Sequence, residues 1–146
     1  MNAQQNLSIK FLKQAYRLNE LIESNLVELQ KFKDLSTHIT ANISKEAVQG
    51  GMNSDKIGSI VVRIVELQNT IDDEIDSYVD IEKDIRNAIN EVQNRNEQLL
   101  LRLKYLEFLS LEKIAGRMGY STKQVNRIHI EALNHIKIPK DVPKCP

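Results

Sequence analysis

The segment from residue 121 to residue 127 concentrates side chains that can hydrogen-bond to nucleic-acid bases. Arginine and lysine match the two acceptors of guanine, whereas asparagine and glutamine match the donor and acceptor of adenine. A methyl group, such as that of Thr122 or Ile130, can contact the methyl group of thymine. The candidate DNA-binding residues are Ser121, Thr122, Lys123, Gln124, Asn126, Arg127 and Ile130.

The residues around this segment have the pattern of a helix-turn-helix that begins at Leu111. Two steeply crossing helices need apolar residues at their contact, a small residue where the backbones approach, and a turn residue that tolerates positive φ. Ala115 supplies the small residue and Gly119 the turn. Ser121 is a suitable N-cap for the second helix, and Gln124 can complete a capping box. The predicted inward residues are Ile114, Met118, Tyr120, Val125 and Ile128.

The second helix, predicted from Thr122 to about Ile136, is the element that enters the major groove in this motif. Its N-terminus and the Ser121 hydroxyl can also hold a DNA phosphate. Weaker phosphate contacts are predicted for Lys113, Arg117 and His129, although packing at the helix edge is the favoured role of His129. The sequence therefore predicts double-stranded DNA as a partner.

The elements that position this segment are predicted to be helical throughout. Only five glycines and three prolines occur, and the prolines all lie in the last eight residues. Residues 8–35 have apolar side chains at alternating spacings of three and four, which is the period of an amphipathic helix. Residues 36–54 are rich in Ser, Thr and Asn and include Gly50-Gly51, so they are predicted to form a long connection that is either mobile or contains a short helix.

A second long helix is predicted from about residue 55 to residue 93, capped by Asn53 or Ser54. Apolar residues recur in it every seven positions, with a polar lapse at Glu74, which is typical of a coiled coil. The apolar stripe is wider than a two-stranded seam needs, so we expect a helical hairpin that also associates with a second copy. The residues predicted to mediate oligomerisation are Ile57, Ile64, Ile71, Tyr78, Ile85 and Val92.

The predicted organisation is thus an antiparallel helical hairpin or coiled coil over 1–93, a three-helix helix-turn-helix domain over 94–138, and a tail over 139–146. The first helix of the second domain is predicted at about 95–108, with Asn94 as N-cap and Glu97 closing a capping box, and the next at about 111–117.

Charge is distributed unevenly along the chain although the net charge is zero. Residues 98–146 carry nine Lys and Arg against four Asp and Glu, whereas residues 57–97 carry four against ten. This asymmetry is expected when one part of a protein contacts a polyanion.

Several other classes of protein are disfavoured. His129 and His135 are six residues apart and do not share a helix face, and no zinc-ligand spacing links them to Cys145. The acidic run at residues 71–84 fits the solvated side of the coiled coil, and no nucleophile or glycine-rich loop accompanies it, so we expect no enzyme and no cofactor. The chain has no membrane-length apolar run and no signal-peptide core, and its single cysteine fits a reducing compartment; we expect a cytoplasmic protein.

Residues 102–133, RLKYLEFLSLEKIAGRMGYSTKQVNRIHIEAL, resemble the helix-turn-helix of sigma-factor region four. More narrowly, they are similar to phage transcription regulators of the ArpU/RinA-like late-gene group. The similar pattern is YLE, then S-x-E-x-I-A-x-x-M-G-Y-S, then V-x-R-I-H-x-E-A-L. The N-terminal part is also similar, with a Leu-rich helix, a Ser/Thr-rich link, DKIG and an Ile-heptad helix. The resemblance implies a prophage regulator that activates late genes with host RNA polymerase and contacts DNA through 121–127.

Two other functions are compatible with the sequence. A small terminase subunit also joins a helix-turn-helix to helical oligomerising segments, although it usually places the DNA-binding part first. A protein-interaction module would use the same fold to bind RNA polymerase or a sigma factor in place of DNA, and would then show no salt-sensitive duplex binding.

Overall fold

The computed structural model describes residues 1–45 and 50–139, with the backbone alone for residues 42–45 and 50–54; Cys145 and most of the predicted tail lie outside these ranges. The described chain is all-helical, which confirms the predicted fold class. Its helices are α1 (Ala3–Leu12), α2 (Gln14–Lys45), α3 (Gly50–Asn90), α4 (Arg95–Tyr105), α5 (Leu111–Met118) and α6 (Thr122–Leu133).

The first predicted helix is correct in type but too short at both ends. α1 begins five residues earlier than predicted because Asn2 and Gln5 form a capping box: the Asn2 side chain accepts from the Gln5 amide at 2.8 Å, and the Gln5 side chain accepts from the Asn2 amide at 2.9 Å. Lys13 separates α1 from α2, yet the Arg17 amide still donates to its carbonyl at 3.1 Å. The two helices therefore follow one another with only a bend.

The predicted long connection at 36–54 is wrong for the residues that the structure describes. α2 continues to Lys45 and α3 already begins at Gly50, so Asn53 and Ser54 lie inside a helix and do not cap it. The hydroxyls of Thr37 and Thr40 donate to carbonyls one turn earlier, at 3.0 and 2.8 Å. Because these polar groups are satisfied within the helix, they do not terminate it.

Residues 20–76 form one compact unit, built from parts of α2 and α3. Leu29 packs with Leu67 and Ile71 in its core, with Phe32 and Ile64 against them. Across the same pair of helices, the Asn25 side chain donates to the Glu74 carboxylate at 2.6 Å and Arg63 pairs with Glu28 at 3.1 Å. Partners early on one helix match partners late on the other, so this part of the predicted antiparallel hairpin is confirmed.

Residues 1–19 and the chain from residue 77 onward form a second compact unit. The predicted boundary between residues 93 and 94 is therefore wrong, because α1 belongs with the helix-turn-helix. Its side chains hold the C-terminal half of α6: Ser8 donates to the Leu133 carbonyl at 2.7 Å, and Gln5 donates to the Ile130 carbonyl at 3.1 Å. These contacts join positions 125 residues apart in the sequence.

The heptad residues of α3 are used differently from the prediction. Ile71, Ile85 and Val92 are buried within this single chain, and the other three are partly buried. The heptad residues of α3 thus face the core of the single chain. Helix pairing within a chain needs the same apolar period as association between chains. The expectation that all six residues form an intermolecular seam is wrong for the three buried ones.

The shorter helices end where the backbone conformation stops them. α4 ends at Tyr105, three residues before the predicted end, and Phe108 shortly after it has φ 60°, which no helix can accommodate. α5 ends one residue beyond the prediction, at a left-handed Gly119 with φ 75° and ψ 27°. α6 ends at Leu133, three residues earlier than predicted. Gly119 thereby sets the direction in which the chain enters α6.

Two glycines one turn apart provide a matched test of this turn. Gly119→Ala places a Cβ in the left-handed region, and we expect it to lower the free energy of unfolding by about 1–2 kcal/mol. Gly116→Ala lies inside α5, where a Cβ meets nothing within 4 Å, and should raise it by up to about 1 kcal/mol through helix propensity. Urea unfolding of both variants checks the signs; equal effects would contradict the assigned turn.

Candidate nucleic-acid interface

The helix-turn-helix is held together by an apolar cluster beneath α6. Its buried members come from three helices: Leu100 and Leu103 from α4, Ile114 and Ala115 from α5, and Val125 from α6. Four partly buried residues pack against it, namely Leu109, Leu111, Met118 and Ile128. The predicted inward positions of this motif are therefore confirmed, with one exception.

The exception is Tyr120, which is 36% exposed and lies outside the cluster. Its hydroxyl accepts a hydrogen bond from the Asn96 side chain at 3.1 Å. Tyr120 thus joins the turn to the start of α4 through its polar end, which apolar patterning alone does not predict.

The start of α6 has the predicted capping box. The Gln124 amide donates to the Ser121 hydroxyl oxygen at 3.2 Å, and the Ser121 amide donates to the Gln124 side-chain oxygen at 3.0 Å. This arrangement fixes the first turn of α6, but it also occupies the oxygen that Gln124 would need for a two-point contact with adenine. Gln124 retains only its amide donors for an outside partner.

The outward side of α6 carries side chains that have no partner among the residues that the structure describes. Thr122, Lys123, Asn126 and Arg127 are exposed, and none has a hydrogen bond or ion pair elsewhere in residues 1–45 and 50–139. Lys123, Asn126 and Arg127 follow at spacings of three and one, so they lie on one side of the helix, opposite buried Val125. Ile130 continues this side one turn later and is half-buried.

Of the three residues predicted to contact phosphate, the structure exposes two and buries the third. Lys113 and Arg117 are both exposed on α5, although Arg117 lies 3.6 Å from the Glu107 carboxylate. Because both partners of that ion pair are largely in solvent, the pair contributes little stability and leaves the guanidinium accessible.

His129 is the one candidate that the structure removes from the interface. It is only 8% exposed, and its Nε2 lies 2.6 Å from the hydroxyl of buried Tyr105. Burial, together with the positive charges of Lys104 and Lys13, lowers the pKa of His129 to about 4. Burial also raises the pKa of Tyr105, so the pair stays uncharged at neutral pH. His129 is a core residue that joins α6 to α4 and has no surface to offer a phosphate.

A second polar pair, which the sequence does not predict, joins the segment after α6 to α4. The Glu97 carboxylate is almost fully buried and lies 2.7 Å from His135 Nδ1. Glu97 was expected to close a capping box with Asn94. Instead, Asn94 accepts from the amides of Asn96 and Glu97, at 2.9 and 3.1 Å, and the Glu97 side chain turns to His135. Sequence patterns of i to i+3 cannot reveal a partner 38 residues away.

The described part of the chain contains no group of three or more His, Cys, Asp or Glu residues arranged to hold a metal ion. Within the same residues, no helix combines the length and the apolar character that crossing a lipid bilayer requires.

Comparison with known proteins identifies a family. The model of a family described as a protein of unknown function, DUF1492, matches residues 38–137. The chain belongs to this family. The DUF1492 match runs from within α2 to beyond α6, so it includes the whole helix-turn-helix and its outward side. No curated protein and no solved structure matches the chain.

The buried histidine makes stability depend on pH in a defined window. The unfolded chain binds a proton on His129 near its ordinary pKa of 6.5, whereas the folded protein binds it only near 4. Stability is therefore full above about pH 6.5 and falls as pH decreases toward 4, by at most about 3 kcal/mol. His129→Gln should lose this component. Urea unfolding at several pH values gives the free energy of unfolding of the two proteins. If these free energies change in parallel between pH 6.5 and 4.5, His129 titrates normally.

Proposed function

We propose that this protein is a sequence-specific DNA-binding transcription regulator whose helix α6 enters the major groove. The proposal rests on the side chains that the outward side of α6 exposes. Lys123, Asn126 and Arg127 are exposed there and have no side-chain partner in the described ranges, on a helix whose opposite side is buried. A rigid helix that presents free donors at its N-terminal half is what direct contact with base edges requires.

Lys123 and Arg127 have no carboxylate within ion-pair distance in the part of the chain that the structure describes. Free donors keep their hydrogen-bonding capacity for a ligand. The excess of basic over acidic residues in 98–146 adds a favourable field for a polyanion.

The roles we assign follow from side-chain chemistry. Arg127 and Lys123 suit the acceptors of guanine, and Asn126 suits adenine. The capping box occupies part of Gln124, so we assign it a single donor contact and give Ser121 the structural role of N-cap. Ile130, which is half-buried, offers an apolar edge to a thymine methyl group.

The resemblance to ArpU/RinA-like regulators and to sigma-factor region four extends the proposal to the biological role. On that basis the protein activates late phage genes together with host RNA polymerase.

We also propose that the protein acts as an oligomer formed by copies of this chain. Among its described residues, the unit of residues 20–76 exposes eight large apolar side chains, and contiguous apolar surfaces are commonly covered by a partner. They are Leu21, Leu26, Val27 and Leu35 on α2, and Val61, Val62, Val65 and Ile75 on α3. A symmetric dimer would present two copies of α6 to half-sites about 34 Å apart or a multiple of that distance.

Selection of bound sequences from a random duplex library tests the DNA proposal. We expect a recovered motif, and we expect Arg127→Ala to weaken binding to it by about 5- to 150-fold, which corresponds to about 1–3 kcal/mol for a lost base contact. Lys123→Ala should act similarly. Lys31→Ala removes an exposed charge on α2 and serves as the matched control.

The variants should retain the helical content and unfolding midpoint of the wild-type protein, because neither side chain has a partner within residues 1–45 and 50–139. A folded wild-type protein that selects no motif would defeat the proposal and would favour direct polymerase binding or a packaging role. Unchanged binding by both variants would place the DNA-contacting surface elsewhere.

Sedimentation equilibrium of the full chain tests the oligomer. Val65→Glu places a charge among the exposed apolar residues, and we expect it to raise the dissociation constant at least about tenfold. Thr70→Glu introduces the same charge on a different side of α3 and should have little effect. A wild-type protein that is monomeric at micromolar concentration would refute self-association.

A further inference from the structure

A small cavity between the α1–α2 bend and the loop before α5 contains two lysines, and we infer that it is a binding site for a phosphate group. The cavity has a volume of about 270 Å³. It is lined by Lys13, Tyr16, Lys104, Tyr105, Phe108, Leu109 and Ser110. This volume is just below the range of sites for drug-sized molecules, so it suits a compact group.

The charges of the cavity are uncompensated. Neither Lys13 nor Lys104 forms an ion pair within residues 1–45 and 50–139. Lys104 is half-buried, with its ammonium 5.6 Å from the centre of the Tyr105 ring. Burial and the nearby charge of Lys13 lower the pKa of Lys104, which means that its surroundings disfavour the charged ammonium. An anion placed between the two ammonium groups would remove that cost.

Hydrogen-bond donors at the cavity have the same preference for an anion. Ser110 is the N-cap of α5, and its hydroxyl oxygen already accepts from the Lys113 amide at 3.3 Å, which leaves the hydroxyl proton to donate. The positive end of the eight-residue helix α5 begins at this residue. Lysine ammonium groups, a hydroxyl and a helix N-terminus together form a donor set suited to a tetrahedral oxyanion.

The wall of the cavity is built from a strained residue. Phe108 has φ 60°, a conformation that a bulky side chain rarely adopts, and its ring meets the edge of Tyr16 with centroids 5.5 Å apart. Strain of this kind persists only where surrounding contacts enforce it. Here Phe108 packs beside Tyr16 in the cavity wall. The residues that line the cavity include no carboxylate.

The phosphate has two possible sources, a phosphodiester of bound DNA or a free phosphate-bearing small molecule. The DNA source rests on the proposed function, because the first helix of a helix-turn-helix crosses the DNA backbone and α5 begins at this cavity. Binding of a free phosphate-bearing small molecule does not depend on the proposed function.

Thermal unfolding of the full chain in inorganic phosphate, against chloride at equal ionic strength, tests the site itself. At about ten times the dissociation constant, we expect phosphate to raise the Tm by roughly 3–6 °C. Lys13→Gln and Lys104→Met should lose this rise, while Lys10→Gln, an exposed lysine on α1 that does not line the cavity, should keep it. Without phosphate, both cavity variants should be at least as stable as the wild type, because a repulsion is removed.

Duplex binding at several salt concentrations identifies the source. The negative slope of log affinity against log salt should become less steep by about 1 in Lys104→Met but not in Lys10→Gln if the phosphate belongs to DNA. An unchanged slope together with lost phosphate protection would assign it to a free ligand. If the wild-type protein binds no duplex, the proposed function fails and the unfolding experiment still decides the site. An equal response of all four proteins to phosphate, with equal slopes, would overturn the inference.

Discussion

The outward side of α6 can face a ligand because the opposite side of the helix is covered by its own chain. Val125, Ala132 and Leu133 are fully buried against neighbouring helices. Each fully buried valine or leucine contributes about 1.5–3 kcal/mol, whereas an N-cap contributes about 1 kcal/mol. Apolar packing therefore sets the position of α6, and the Ser121–Gln124 capping box sets where the helix starts. The positions of Lys123 and Arg127 are therefore set by packing and capping contacts that other residues of α6 make.

Polar contacts complete this positioning at the C-terminal end of α6. Helix ends leave carbonyl groups without internal partners. Here α1 supplies donors from Gln5 and Ser8, while His129 and His135 connect to α4 through Tyr105 and Glu97. Buried polar groups of this kind are costly unless they are paired, so they tolerate only one arrangement of the helices. α1, which the sequence assigns to a separate domain, thus belongs to the same compact unit as the helix-turn-helix.

The helical pair of residues 20–76 shows how two departures from a pattern can explain each other. Asn25 interrupts the apolar stripe of one helix and Glu74 interrupts the heptads of the other. In the folded chain they meet in a hydrogen bond of 2.6 Å. A polar pair inside an apolar seam favours the register in which both members are satisfied. Eight other large apolar side chains in the described part of this unit stay exposed, which is why we propose a second copy as their partner.

The sequence by itself determined the properties that depend on residues close together along the chain. The all-helical class, the starts of α4, α5 and α6, the left-handed turn at Gly119 and the Ser121 cap all follow from local periodicity and backbone preference. Tertiary structure decided what local patterns cannot contain. It placed α1 beside α6, turned Glu97 from its expected capping role to His135, buried His129, and directed half of the heptad residues into the chain's own core. The physical reason is that an apolar period specifies that a face must be covered, whereas the choice of what covers it depends on contacts between distant residues.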